Sequence, residues 1–486
     1  MLNLLLAIAT GVLLVLSFPD FDLHFLAAIA LAPLFIALAR EQRHGRRCWL
    51  GFAAGFVFWF GTCYWIQGVL YNHGGLGLWA SWGVFLLFCA AKALHLTVFA
   101  LGAGPLLKTA YALPAVAALW VAIESTHGAL GFAWQALGNA GINMSVPLRL
   151  APYTGVYGIS FVFVMMSAAV ALMLLRRRRA EVAWLLLLPL LYLLPEVPPA
   201  KRGTERAVLV QPNLSQSQQW DWASLTKARV DIAALSLEAA LQEPSLPPRL
   251  LIWPEVPAPF YASDPEFQAQ VVRLARAART NFLFGVVAWS DDHAPLNSAM
   301  LIGPGGEFLG RYDKMNLVPF GEYIPPGFGF VNRITKESGD FRPGRRQTLF
   351  TAGGRRIGGF ICYEAALPDF VRRFTAAGAE VLVNISNDGY FGRTAARRQH
   401  LNLVRMRAVE NRRWILRATN DGYTVVIDPA GRMLYRFPPY ERGALDARFE
   451  YLSGKTLYAS LGDWFAMASA AGAIIALVAT RRNRSL

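Results

Sequence analysis

The sequence predicts two kinds of structure in one chain: a polytopic α-helical membrane domain of eight spans, and an α/β domain outside the bilayer. Three observations carry this. Of the 486 residues, 55% are hydrophobic and only 16% charged, and the apolar excess sits in residues 1–195 and 461–480, while 201–455 have the mixed composition of a globular enzyme. Short arginine clusters flank the apolar runs. Within the polar region, β-rich runs alternate with helical stretches.

Runs near the roughly 20 apolar residues needed to cross a bilayer occur at 2–18, 23–39, 48–70, 77–101, 110–126, 155–175, 181–195 and 461–480. The first lacks a basic start and a small-residue cleavage site and runs straight into a second, so it reads as a span rather than a signal peptide. Basic residues collect on the cytoplasmic side of a membrane. "REQRHGRR" at 40–47, Lys108, "RRRR" at 176–179 and "RRNR" at 481–484 fall on one side, whereas "PDFD" at 19–22 and "YNHGG" at 71–75 fall on the other. Both termini are therefore expected in the cytoplasm. The expected division is a seven-span membrane domain over 1–195, an extracytoplasmic catalytic domain over 196–460, and an eighth span with a cytoplasmic tail over 461–486. The net charge of +15 is accounted for by membrane topology, which argues against nucleic acid as a partner.

In the outer region, "RAVLVQPN", "RLLIWPE", "NFLFGVVAW", "RRIGGFICYE", "EVLVNISND" and "RWILRATND" read as strands. "DPEFQAQVVRLARAART" and "TAARRQHLNLVRMRAVENR" read as helices, and "LNSAMLIGPGGEFLGRYDK" and "GYTVVIDPAGRMLYRF" as hairpins with Gly/Pro turns. Together they predict one α/β fold with a mixed sheet.

The four cysteines are Cys48, Cys63, Cys89 and Cys362. Only Cys362 lies in the polar region, so no disulfide forms within it, and cysteine-pair zinc sites are excluded. Three polar residues end three predicted segments: Glu255 after "LLIW", Lys314 after the first hairpin, and Cys362 after "IGGFI". Side chains at the carboxyl ends of neighbouring strands converge on one crevice. A carboxylate, an ammonium and a thiol meeting there supply a general base, an oxyanion partner and a nucleophile. Taken singly, each has a plainer reading: a strand-end cap, a solvated lysine and a small buried hydrophobe. In an oxidising outer compartment, however, a free thiol is a liability unless it is sheltered or used.

The contexts "WPEVPAP", "YDKMNLVPFGEYIP" and "GFICYE" resemble the nitrilase superfamily. "LVPFGEYIP", "ISNDGYFG", "QHLNLVRMRAVENRRWILRATNDG" and the eight-span layout are similar to its membrane branch, the apolipoprotein N-acyltransferases. The resemblance covers essentially the whole chain. It implies a nitrilase-like α/β/β/α sandwich with Glu255, Lys314 and Cys362 as catalytic triad, and supporting or substrate-binding roles for Trp220, Glu322, Tyr363 and Glu364. It also implies that an sn-1 acyl chain passes from a membrane phospholipid, through a thioester on Cys362, to the α-amino group of a diacylglyceryl apolipoprotein, in the last step of bacterial lipoprotein maturation. That implies a monomer in the bacterial inner membrane, its catalytic domain on the periplasmic side, with no metal or organic cofactor. Two positions depart from the usual family pattern, Tyr390 where tryptophan is common and Asn316 where histidine is common, and both bear on substrate fit rather than chemistry.

Residues 315–345 have no clear periodicity but carry Phe320, Tyr323, Ile324, Phe328 and Phe330, which predicts either a functional loop that meets the bilayer and guides acyl chains toward Cys362, or aromatics packed on the domain. Lys92, His95 and Glu124 are the polar residues of the spans, with structural roles expected, and "GALGFAWQALGNAGINM" at 128–144 is expected to line the membrane-side mouth of the site. A transporter would require paired charges at mid-membrane in corresponding halves, which are lacking. A membrane-tethered nitrilase-type amidase acting on small amides shares the triad but leaves most of the spans unexplained.

Overall fold

The computed structural model describes residues 1–128, 132–176, 182–200, 203–319, 321–323 and 341–485. Every predicted apolar run contains a helical segment, but the segments differ in length. Leu78–Leu106, Val156–Leu174 and Trp464–Arg482 are long and apolar enough to cross a membrane, and His44–Thr62 with Trp65–Asn72, bent by 56°, adds a fourth if the pair counts as one. Leu2–Leu16, Ala112–Glu124 and Ala183–Leu193 are shorter apolar helices. At about 1.5 Å per residue these fall short of a hydrocarbon core roughly 30 Å thick. The expected count of eight is therefore met by helix length for three or four runs among the described residues. The outer faces are apolar, with Leu87, Leu94 and Val98 of Leu78–Leu106 and Ile474 and Ile475 of Trp464–Ser485 exposed, as lipid-facing surfaces require.

The polar region folds into two six-stranded sheets. The first has the order β12-β1-β2-β3-β4-β5, the second β11-β10-β9-β8-β7-β6. In the first, β1 (Glu205–Gln211), β2 (Leu250–Ile252) and β3 (Asn281–Trp289) are parallel, the hairpin of β4 (Pro295–Ile302) and β5 (Phe308–Asp313) continues antiparallel, and β12 (Gly443–Phe449) closes the far edge. The second repeats the plan. Its β7 (Arg355–Ile361), β8 (Val381–Ser386) and β9 (Ile415–Thr419) are parallel, flanked by antiparallel β6 (Leu349–Ala352) on one side and by the hairpin of β10 (Thr424–Ile427) and β11 (Met433–Phe437) on the other.

Strand periodicity sorts the side chains into layers. Ala207, Leu209, Ile252 and Leu283 join Ile357, Val381, Val383 and Leu416 in the core shared by both sheets. Their sequence neighbours Val208, Val210, Leu251, Phe282 and Phe284 pack with residues of Trp222–Leu241 and Pro265–Ala278. Those helices start at well-capped points: Asp221 accepts from the Ser224 amide in a capping box, and Asp264 accepts from Glu266 with Pro265 in the first turn. Pro368–Ala376 and Ala396–Asn411 cover the second sheet, completing an α/β/β/α arrangement. All six predicted strands and both predicted helices form. β6, β12 and Trp222–Leu241 add to the expected elements.

Ala396–Asn411 joins the two halves of the chain. Gln399 accepts from the indole N–H groups of Trp65 (3.2 Å) and Trp134 (2.8 Å), and donates to the carbonyls of Pro19 and Thr62 (3.0 Å each). At the other end Glu410 accepts from the Val156 amide (2.9 Å), at the start of a long apolar helix.

Candidate active site

Glu255 and Lys314 meet at the carboxyl-end edge of the first sheet. Glu255 follows β2 by three residues, and Gly285 of β3 lies directly against it: a Cβ on that glycine would sit 2.4 Å from the Pro254 carbonyl oxygen and 2.7 Å from the Glu255 Cα. Lys314 follows β5 and is tied to β4 by its amide, which donates to the Asn297 carbonyl (2.8 Å). The Lys314 Nζ donates to Glu255 Oε1 (3.0 Å) and to Glu322 Oε1 (2.8 Å). Asn297 Nδ2 bridges the same two oxygens at 2.8 and 2.9 Å. Glu255 Oε2 accepts from the Asn387 amide (2.8 Å), and Glu322 Oε2 from the Val318 amide (2.8 Å). Burial alone would pull the ammonium down, but the two carboxylates outweigh it and hold Lys314 well above its ordinary value.

Cys362 follows β7 directly and opens a short 3-10 turn, Cys362–Ala366, with φ of +51°. A side-chain-bearing residue in that region costs about 1–3 kcal/mol, a strain that concentrates at functional sites. Glu364 locks the turn. Its Oε2 accepts from the Ile361 amide (2.8 Å), and its Oε1 from the Tyr312 hydroxyl (2.6 Å) and the amides of Met315 (2.8 Å) and Asn316 (3.1 Å). This fully buried carboxylate thus fastens the cysteine turn to the segment that carries Lys314. Burial and the Glu255 charge push the Cys362 thiol well above its ordinary value, against the pull of the Lys314 ammonium.

The Cys362 carbonyl accepts from His400 Nε2 (3.0 Å), so that nitrogen carries a proton. His400 Nδ1 lies 3.1 Å from Asp388 Oδ1, and Arg417 donates to both Asp388 oxygens at 3.0 and 2.8 Å. Burial would raise the Asp388 carboxyl, but Arg417 and His400 prevail and hold it well below the carboxylate range.

Tyr363 turns the other way, toward the apolar helices. Its hydroxyl accepts from the Ala133 amide (2.8 Å) and its ring stacks on Phe132 at 5.5 Å. Lys92 donates to the Phe132 carbonyl (2.9 Å) and lies over the Trp59 ring, while Glu124 accepts from Trp120 Nε1 (2.9 Å) and the Leu137 amide (2.7 Å). The described part of the 128–144 segment thus touches the residue beside Cys362, through Phe132 and Ala133.

The structure brings together Glu255, Lys314, Glu322, Cys362, Tyr363 and Glu364. Trp220 lies apart from this network, half-buried against the apolar cluster behind the first sheet. Its loop nonetheless approaches the site, since Gln216 accepts from Asn387 Nδ2 (3.3 Å). Phe320, Ile324, Phe328 and Phe330 of the expected membrane-contacting loop lie outside the described residues. Sequence reasoning missed Asn297, Asn387, Asp388, His400 and Arg417. Asn387 and Asp388 end β8 in "ISND", the strand-end position that marked the triad; nothing in the local pattern marks Asn297 within a hairpin strand or Arg417 within β9.

Residues 206–451 match the carbon-nitrogen hydrolase family, and residues 10–169 match the apolipoprotein N-acyltransferase N-terminal domain. The chain is 34% identical to the apolipoprotein N-acyltransferase of Geobacter metallireducens, over 99% of this chain and 95% of that one. It is 32% identical to that of Methylococcus capsulatus, over 99% and 97%. Among solved structures, a carbon-nitrogen hydrolase from Helicobacter pylori G27 aligns at 17% identity and a TM-score of 0.39, over 50% of this chain and 88% of that one. With family matches over residues 206–451 and 10–169 and full-length likeness above 30%, this chain belongs to the apolipoprotein N-acyltransferase family, which joins a nitrilase-like catalytic fold to an apolar helical region.

Proposed function

We propose that this protein acylates the α-amino group of the diacylglyceryl cysteine of apolipoproteins, taking an sn-1 acyl chain from a membrane phospholipid through a thioester on Cys362. The observation that carries it is the pairing of a strained, buried cysteine with Glu255 and Lys314, in a turn whose next residue, Tyr363, packs on apolar helices.

In the first half-reaction the Glu255 carboxylate takes the thiol proton and Sγ attacks the ester carbonyl carbon. Negative charge gathers on the carbonyl oxygen beside Lys314. Collapse breaks the ester C–O bond, and the departing lysophospholipid oxygen receives the proton from Glu255. In the second, a neutral amine attacks the thioester carbonyl, Glu255 takes its proton, and collapse breaks the C–S bond as the departing sulfur receives that proton from Glu255, which restores the thiol and the carboxylate. Moving the thiol proton to Glu255 leaves the net charge of the site unchanged, with Glu322 keeping a carboxylate on Lys314 throughout. That matters where no solvent ion can compensate. Tyr363 and Phe132 would face the acyl chain, Glu364 supports the turn, and Trp220 acts from the Gln216 loop.

In the same reading, the chain crosses the bacterial inner membrane eight times, with the shorter apolar helices spanning together with their flanking turns. The seven-span domain covers 1–195, the catalytic domain 196–460 lies on the periplasmic side, both termini are cytoplasmic, and the protein acts as a monomer. The test is intact mass after incubation of the detergent-purified protein with a phospholipid. An added acyl mass, labile to hydroxylamine and absent in Cys362→Ala, is expected. A folded protein that gains no such mass would instead point to an amidase acting on small soluble amides.

A further inference from the structure

His400 and Gln399 are adjacent on one buried helix and take different hydrogen-bond partners. Gln399 engages the indoles of Trp65 and Trp134 and two carbonyls of the apolar helical region. His400 donates to the Cys362 carbonyl and is backed by Asp388, itself held by Arg417. The Trp134 ring also lies 5.7 Å from the imidazole, and Phe391 covers it at 6.0 Å. Cys362 holds a left-handed conformation that its side chain disfavours, so something outside the turn must hold its peptide plane in place. Glu364 holds the Ile361 amide before the turn and the Met315 and Asn316 amides of a separate segment, whereas the Cys362 carbonyl is held by His400.

We propose that His400 is the positioning residue of the nucleophile: its Nε2–H fixes the peptide plane between Cys362 and Tyr363, and the Trp134–Gln399 contact transmits to that plane how the helical region is seated on the catalytic domain. Since a peptide is planar, clamping its carbonyl also sets the direction of the Tyr363 N–H and of the Cα that bears the thiol. The inference rests on the acyl transfer proposed above and concerns its rate rather than its occurrence.

The experiment times acyl-enzyme formation by quenched-flow mass measurement in detergent, with dioleoyl phosphatidylethanolamine as donor, for wild type, His400→Leu, His400→Gln and Trp134→Phe. Loss of one well-made hydrogen bond predicts a fall of about tenfold for His400→Leu at unchanged half-saturating phospholipid. His400→Gln, whose amide reaches the same carbonyl, should recover most of that rate. Trp134→Phe, which loses the N–H to Gln399 and part of the ring beside the imidazole, should fall about threefold. A wild-type rate in His400→Leu, or equal losses in the Leu and Gln variants at unaltered melting temperature, overturns the proposal. Where the Leu variant does not fold, a wild-type rate in Trp134→Phe overturns it. Iodoacetamide labelling of Cys362 in the same set separates this inference from the proposed function. If wild type forms no acyl-enzyme, the function fails, and a labelling rate altered by His400→Leu and restored by His400→Gln still upholds the positioning role.

Discussion

Lys314 faces two carboxylates, Glu255 and Glu322, and the second decides how the first behaves. With Glu322 on one side, the ammonium keeps a partner when Glu255 becomes protonated, so the proton transfer leaves no bare buried charge. Glu322→Gln removes that partner but keeps the hydrogen-bond shape, and acyl-enzyme formation is expected to fall about 10- to 100-fold, as loss of a charged hydrogen bond implies. Rapid-quench kinetics check this, and a fall below threefold would reduce Glu322 to packing. The thiol gives a second residue-scale prediction. Because burial and the Glu255 charge raise the pKa of Cys362, the thiolate fraction should keep climbing about tenfold per pH unit between pH 7 and 9. Iodoacetamide labelling should climb with it and show no plateau; a plateau below pH 8 would mean an acidic resting thiol.

The elements hold the site by close approach. Gly285 lets β3 run under the Pro254–Val256 backbone, and a methyl group there meets backbone atoms rather than a flexible side chain. Gly285→Ala should therefore push Glu255 away from Lys314, costing about 1–3 kcal/mol in stability and at least tenfold in acylation. A thermal melt together with the acyl-enzyme assay distinguishes this from a benign change, since a benign substitution leaves both unchanged. The strands themselves were legible because period-2 alternation and Gly/Pro turns are local properties. The β12 edge went unread although Leu445, Ala447 and Phe449 alternate with Asp446 and Arg448, because so short a run gains its place only by pairing with β1, more than 200 residues away in sequence.

At the scale of the whole molecule, Ala396–Asn411 is the piece that depends on both halves. It is built from polar residues, yet Arg397, Gln399, His400, Arg407 and Glu410 are all buried, because each finds a partner in the catalytic sheets or the helical region. Periodicity marks it as a helix; its burial follows from what lands on either side. The eight-span reading makes a prediction here. Gly45 and Gly77 have no heavy atoms within 4 Å of an added Cβ, so cysteines there should be tolerated. Gly77→Cys should react with an impermeant maleimide in intact spheroplasts, and Gly45→Cys only after permeabilisation. The reverse pattern would invert the proposed orientation.

By itself, the sequence determined the class of the molecule, the apolar runs and most strands of the sandwich, because hydrophobic periodicity and arginine placement are written locally. Position at segment ends also singled out Glu255, Lys314 and Cys362, since such residues share one rim once the sheets form, while Glu322, Tyr363 and Glu364 came from the family resemblance. Only the tertiary structure decided that Trp220 stands back from the acid–lysine network and that most apolar runs make helices shorter than a full crossing. It alone showed the Cys362 carbonyl clamped by His400, Asp388 and Arg417. Those facts depend on which distant segments meet. A buried polar group takes its partner from whatever packs against it, and in this chain that partner often comes from the other half of the molecule.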